Sequence, residues 1–369
     1  VDSDSRTVRV EPGATLADLD AATQAHALAV PTGINSTTGI AGLTLGGGFG
    51  WLSRKHGMTV DNLISARVVL ADGSVVVASE SENSDLFWGL RGGGGNFGVV
   101  TSFEFQAHAV GPEILSGLIV HPFSDATEVL RAYRDFVKDA PDELTVWTVL
   151  RKAPPLPFLP EDVHGTEIVI LAAMYTGDIS DGEAALAPLR AIGNPIADVI
   201  GPQPFTDWQQ AFDPLLTPGE RNYWKTHDFA EMSDELIDEV LGYVAKLPDP
   251  QCEVFFAQVG GAQSRVSDEA TAYQGRSAAY IMNVHGRWSD TSKDETCVEW
   301  CRDLWNAIAQ YATGEAYVNF MTEEEGGDRL ESAYGSSYAR LVELKNRYDP
   351  TNLFRLNQNI RPTAVKQAP

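Results

Sequence analysis

Residues 32–50 read TGINSTTGIAGLTLGGGFG, and this stretch decides the fold. Glycines stand at 33, 39, 42, 46, 47, 48 and 50, between the hydroxyls of Ser36, Thr37, Thr38 and Thr44. A residue without a Cβ reaches positive φ cheaply and lets another group approach the backbone. Successive backbone N–H groups and hydroxyls then form a concave anion site, the usual way a protein holds a pyrophosphate. A flexible linker would share the glycines, but not Ile34, Ile40, Leu43, Leu45, Phe49 and Trp51 kept in step with them. The pattern predicts a cofactor cradle.

A second cluster, RGGGGNFGVV at residues 91–100, follows the helical SENSDLFWGL and precedes the strand-like VVTSFEF. It places an exposed backbone turn at the mouth of a buried strand, where α/β and α+β folds bind cofactors. Neither cluster is G-x-G-x-x-G in a strand–turn–helix context, so a nicotinamide-type Rossmann unit ranks last.

Outward from these clusters, residues 7–10 are strand-like and 14–27 have amphipathic helical spacing. Residues 62–79 alternate around Ala71-Asp72-Gly73, a hairpin signal. Gly111-Pro112 marks a boundary. Beyond it strands (114–122, 143–151, 167–175, 253–259, 278–288) alternate with helices (124–139 with Ser124 as N-cap, 181–192, 233–245, 294–311). Strands joined by helices, without a glycine turn at each strand end, predict an antiparallel sheet covered on one face.

The chain has 369 residues, enough for two domains with sizeable cores. Its formal net charge of −24 argues against nucleic acid and anionic membrane as partners, and a salt-adapted surface would look the same. No apolar run approaches the ~20 residues of a membrane helix. No charged-then-apolar leader opens the given chain, which favours a cytoplasmic location. Cys297 and Cys301, four apart with no His or Cys cluster, read as helix packing rather than a metal site.

The runs PTGINSTTGIAGLTLGGGFGWLSRKHG, VDNLISARVVLADG and DLFWGLRGGGGNFGVVTSFEF resemble the FAD domain of the berberine-bridge-enzyme-like oxidases, in the vanillyl-alcohol-oxidase flavoprotein superfamily. The carboxy-terminal YDPTNLFRLNQNIRP, residues 348–362, resembles the short element with which that family closes its flavin site. The resemblance implies an α+β protein. An FAD-binding PCMH-type domain would occupy 1–110 and a substrate domain with a helix-covered antiparallel sheet 111–344. Residues 345–369 would return to the FAD site.

It also implies a chemistry: an FAD-dependent oxidoreductase that removes a hydride from a small-molecule alcohol, sugar or amine. Electrons would pass to oxygen or another acceptor. Carried over by motif, flavin contacts fall on Gly33, Asn35, Thr37, Gly39, Gly42, Leu43, Gly46, Gly47, Gly48 and Gly50. Others fall on Asn62, Gly95, Gly98, Val100, Asn357 and Asn359. Asn35 stands where some members carry a cysteine bonded to the flavin C6, a link asparagine cannot make; it also reads as a turn residue.

The resemblance lacks one part. Family members carry a further stretch before the VEPGATL element, with the histidine that bonds the flavin 8α position. The FAD domain is therefore expected to be incomplete at its amino terminus in this chain. Any flavin would be non-covalent, and uncovered apolar surface would favour a homo-oligomer. A truncated, flavin-less binding or structural remnant is the competing expectation.

For the chemistry itself, Arg221-Asn222-Tyr223-Trp224-Lys225 resembles the family strand whose tyrosine and lysine face the flavin. A lysine in an aromatic setting is costly to bury charged, which suits a base; a snorkelling lysine on a sheet edge reads equally well. Tyr317 and Asn319 in AYVNF resemble a segment that reaches the active site. Phe320 stands where some relatives place a tyrosine proposed as base. The expected catalytic set is Tyr223, Lys225 and Tyr317.

Overall fold

The structure, a computed structural model, describes residues 1–325, 327–356 and 358–363. Two compact units form: Val1–Pro112, Gly261–Arg276 and the chain from Glu315 onward in the first, Glu113–Gly260 and Ser277–Gly314 in the second.

In the first unit, strands β1 (Thr7–Val10), β2 (Leu63–Val69), β3 (Val75–Ser79) and β4 (Val99–Gln106) pair antiparallel in the order β1-β4-β2-β3. The β2–β3 hairpin turns at Ala71-Asp72-Gly73, as the alternation predicts. Leu70 N donates to Ser74 O at 2.9 Å and Gly73 takes φ +83°. Helices α1 (Leu16–Gln24), α2 (Ile40–Leu45) and α3 (Ser84–Leu90) pack on this sheet's core. Thr15 starts α1 with a capping box: Asp18 N donates to its hydroxyl, and its own N–H donates to the Asp18 carboxylate at 2.8 Å. Leu16, Ile40, Phe87, Phe97, Phe103 and Phe105 are fully buried in the core. Each such side chain is worth about 1.5–3 kcal/mol of burial.

The second unit holds β5 (Glu113–Pro122), β6 (Leu144–Lys152), β7 (Glu167–Tyr175), β8 (Ala197–Asp198), β9 (Gly201–Pro204), β10 (Arg221–Phe229), β11 (Glu253–Gln258) and β12 (Tyr280–Trp288). They form one antiparallel sheet in the order β8-β5-β7-β6-β11-β12-β10, with β9 also on β5. Helices α4 (Ala126–Val137), α5 (Ile179–Arg190), α6 (Asp234–Val244) and α7 (Asp294–Ile308) bury their apolar sides on it. On α7 the buried residues are Cys297, Trp300, Cys301, Leu304 and Ile308, one helical stripe, so both cysteines serve packing. This is the expected α+β architecture of an antiparallel sheet covered by helices.

Two details differ from the sequence reading. Ser124 does not cap a helix: a 3-10 turn, Phe123–Asp125, comes first and α4 begins at Ala126 with no side-chain cap. The first break falls at Pro112, beside the expected boundary, but the chain up to 344 does not stay in one unit. Gly261–Arg276 and the chain from Glu315, including α8 (Asp328–Tyr334) and α9 (Tyr338–Tyr348), belong to the first unit. Their partners lie far back in the chain: Arg276 makes a bidentate ion pair with Asp61, both N–O distances 2.7 Å. Local composition carries no trace of such a return.

Candidate functional site

Most of the glycine run is closely packed within the first unit. A Cβ on Gly46 would overlap the Asn319 carboxamide, and one on Gly48, at φ +78°, the Thr59 hydroxyl. At Gly47, with φ +125°, it would stand 2.8 Å from the Tyr273 ring. Gly50 meets the Thr32 carbonyl, Gly33 the Leu43 side chain and Gly98 the Val68 side chain. The close approach permitted at these positions is of chain to chain. Gly39 and Gly42 differ: nothing lies within 4 Å of either Cβ position.

Tyr317 is held against the run. Its oxygen accepts from Gly48 N at 3.1 Å and from Asn319 Nδ2 at 2.9 Å, and Asn319 also donates to Leu43 O. Its buried ring stands edge-on to Phe49 at 4.8 Å and to Phe320 at 4.9 Å.

Beside this lies a cavity of about 840 Å³, wholly within the first unit. Ligand pockets run to about 300–1,000 Å³. Gly42, Gly95 and Asn359, three of the expected contacts, line it, together with Gly94, Asn319 and Tyr334. Among the described residues its charged lining is Arg355 and Arg361, with no carboxylate, in a chain of net charge −24. The Tyr334 hydroxyl and Asn359 Oδ1 are buried and have no hydrogen-bond partner among the described residues. A cationic wall, bare glycine backbone and unmet polar atoms fit a large phosphate-bearing cofactor.

Asn96, from the second glycine cluster, fixes one wall. Its Nδ2 donates to Gly93 O and Gln358 O, and its Oδ1 accepts from Ile360 N at 3.0 Å, so Asn359 is clipped in place from both sides. Lys345 on α9 seals the arrangement. Its fully buried ammonium donates to Asn96 O (2.9 Å), Asp349 Oδ2 (2.7 Å) and Phe354 O (2.6 Å). Burial raises the Asp349 carboxyl, but bonds from Lys345, Leu353 N and Phe354 N outweigh it and hold the group below its ordinary range. Burial pulls the Lys345 ammonium below its ordinary value. Sequence reasoning missed Asn96, Tyr334 and Lys345. The available signal was the i, i+4 spacing of Lys345 and Asp349 just before the closing motif.

Other expected contacts are engaged locally. Asn35 Oδ1 accepts from Thr37 N (3.1 Å) and Thr37 Oγ1 (2.7 Å), the turn role. Asn62 uses its whole amide within the chain, donating to His56 O and Met58 O and meeting His108 Nε2 at 2.6 Å. It anchors the short helical turn Ser53–His56, where the His56 ring stacks on His108 at 3.9 Å. Burial, then the charges of His108 and Lys55, pushes His56 down to about 3. Val100 is buried within β4. Asn357 lies outside the described residues.

In the second unit, Tyr223 and Lys225 turn to the helix-covered face of the sheet. Arg302 Nε on α7 donates to the Tyr223 hydroxyl at 2.9 Å, and the Lys225 ammonium lies 5.0 Å from the Trp305 ring centroid. The alternation of β10 puts Asn222 and Trp224 on the other face, where Trp224 packs on His285 and Asn222 Oδ1 meets His285 Nε2 at 3.1 Å. Tyr223 and Lys225 are both packed under α7. Within the first unit, Tyr317 adjoins the glycine run.

Comparison with known proteins agrees with this geometry. Residues 1–79 match a family described as FAD binding domain, and residues 316–361 one described as berberine and berberine like. An FAD-linked oxidoreductase of Dictyostelium discoideum is 30% identical over 367 residues, spanning 98% of this chain and 77% of that protein. The chain belongs to the berberine-bridge-enzyme-like FAD-linked oxidoreductases. A xylooligosaccharide oxidase of Thermothelomyces thermophilus is 28% identical over 398 residues, covering 99% of this chain and 76% of its own length. The crystal structure of 6-hydroxy-D-nicotine oxidase from Arthrobacter nicotinovorans superposes with a TM-score of 0.85 at 25% identity, over 98% of this chain and 79% of that one. FAD is the cofactor of this berberine-bridge-enzyme-like chain, and the enzyme is an FAD-dependent oxidase. These matches do not support a flavin-less remnant. Among the described residues no helix is long and apolar enough to cross a membrane.

Proposed function

We propose that this oxidase takes a hydride from a C–H bond next to oxygen or nitrogen in a small alcohol, sugar or amine, with FAD held in the first unit's cavity. The observation that carries the placement is the cavity's lining: bare backbone at Gly42 and Gly95, two guanidiniums, and polar atoms left without partners. When bound, FAD supplies the hydride acceptor and later passes electrons on. The chain supplies position and electrostatics. Gly42, Gly95 and Asn359 present backbone and amide to the cofactor, and Arg355 and Arg361 offset its phosphate charge. Tyr317 handles the substrate proton: Gly48 N and Asn319 Nδ2 fix its oxygen, and Phe49 and Phe320 shield it from water. The substrates named for relatives, a hydroxynicotine and xylooligosaccharides, set the classes to try first.

The test is anaerobic mixing of the yellow protein with panels of sugars, alcohols and cyclic amines, followed by re-oxidation in air with peroxide detection. Bleaching by one class, reversed by air with peroxide formed, is the expected result. A protein that carries no flavin, or whose flavin no member of the three classes bleaches, overturns the reading.

A further inference from the structure

Tyr334 closes α8 with 2% of its surface exposed, yet its hydroxyl, on the cavity wall, has no hydrogen-bond partner among the described residues. A buried hydroxyl left unmade costs about 1–3 kcal/mol, and folded proteins rarely leave one without a reason. Asn359 Oδ1, on the same cavity, is a second such atom. The backbone near Tyr334 is Gly94, at φ +73°, whose absent Cβ would stand 3.7 Å from the hydroxyl. A side chain there would crowd the space in front of it. Burial, and then Tyr338, pushes the Tyr334 phenol far above the ordinary tyrosine range. The group therefore keeps its proton at neutral pH and is available as a donor.

We infer that the Tyr334 hydroxyl is a hydrogen-bond donor to the FAD in this cavity, and that the Asn359 carboxamide oxygen accepts from the same cofactor. This rests on the reading that the cavity holds FAD. One part of the ligand then offers an acceptor and another a donor, which the hydroxyls, ring amide and amine of FAD provide. A phosphate offers acceptors only, and Arg355 and Arg361 suit it better.

The experiment uses the flavin-free full chain, wild type and Tyr334→Phe, titrated with FAD, FMN and ADP by fluorescence and calorimetry. The same samples are melted without ligand. Loss of one hydrogen bond predicts FAD binding about tenfold weaker in Tyr334→Phe. The ligand-free midpoint should match or exceed wild type, because the hydroxyl has no protein partner to lose. A matching loss with FMN assigns the bond to the flavin half and one with ADP to the adenosine half; either supports the inference. Asn359→Ala should weaken FAD comparably. Unchanged FAD affinity in Tyr334→Phe overturns the inference, as does a lowered ligand-free midpoint, which would reveal a bond inside the protein. A wild-type chain that takes up no FAD is a different failure and overturns the cofactor reading itself.

Discussion

The cavity of the first unit and the Tyr223–Lys225 patch of the second are made of similar parts: aromatic rings, cations and polar tips. They differ in where the polar groups go. The Tyr223 hydroxyl is met by Arg302, and Lys225 lies between the Tyr223 and Trp305 rings, at 5.5 and 5.0 Å. On the cavity wall, the Tyr334 hydroxyl and Asn359 Oδ1 are left without partners among the described residues. A polar tip met by its own unit stabilises the fold; one held bare on a cavity wall stabilises something that binds there. Type and spacing of residues do not separate the two cases, and only the engaged or unengaged state of each atom does.

The largest expected effect breaks the cradle. Valine at 47 must adopt φ +125° against the Tyr273 ring, strain and overpacking of about 2–6 kcal/mol together. Gly47→Val should lose FAD by losing the first unit's fold, seen as loss of that unit's melting transition with the second's retained. Gly42→Leu meets open space and projects from the cavity lining. It should keep both transitions and still lose FAD. Identical behaviour of the two variants would erase the distinction between packing glycines and ligand glycines.

Next in size is Lys345→Met. It leaves the buried Asp349 carboxylate without its cation, and breaking such a pair costs about 3–5 kcal/mol. Because Lys345 also holds the Asn96 and Phe354 carbonyls, FAD affinity should fall with stability. Lys345→Met with wild-type urea unfolding would show that the seal contributes nothing.

Much of this was legible in the sequence, for physical reasons that also mark its limits. The hairpin at Asp72-Gly73 and the stripe on α7 are local patterns, set by the strand and helix periods, and both fold as read. Gly42, Gly95 and Asn359 came from motif resemblance and meet at one cavity. Tyr223 and Lys225 came the same way, yet alternation along β10 sends both under α7, and that depends on which face the helices cover. Asn96 and Lys345 escaped notice because their partners lie 262 and 249 residues away. Tyr334 is detectable only through a bond it does not make.

A smaller effect is the pH dependence of the first unit. Burial holds His56 near 3 and also lowers His108, while an unfolded histidine titrates near 6.5. As pH falls below 6.5 the unfolded chain gains protons that the folded pair refuses, so stability declines from there toward pH 3. Lys55 and Arg6 face the same pair and oppose its protonation. The first unit's midpoint should drop by roughly 5 °C between pH 7 and 5, about the response to one or two kcal/mol. His56→Gln should flatten that slope. An equal slope in His56→Gln would assign the acid sensitivity elsewhere.

The smallest effect separates the two regions most directly. Tyr223→Phe removes the hydrogen bond from Arg302 at a partly exposed position, and that loss should cost about 1 kcal/mol. The ring stays, so Lys225 keeps its aromatic neighbour. Since both side chains pack under α7, FAD content, kcat and the pH profile of turnover should match wild type. A general base behaves otherwise: its removal lowers turnover by about 10²- to 10⁴-fold. Tyr317→Phe is the paired experiment, because that oxygen adjoins the glycine run and accepts from Gly48 N and Asn319. It should fall into the second class, with FAD still bound and stability altered by little more than two lost hydrogen bonds. The reverse result, a silent Tyr317→Phe and a crippled Tyr223→Phe, would return the chemistry to β10 and show that engagement by α7 does not rule out catalysis.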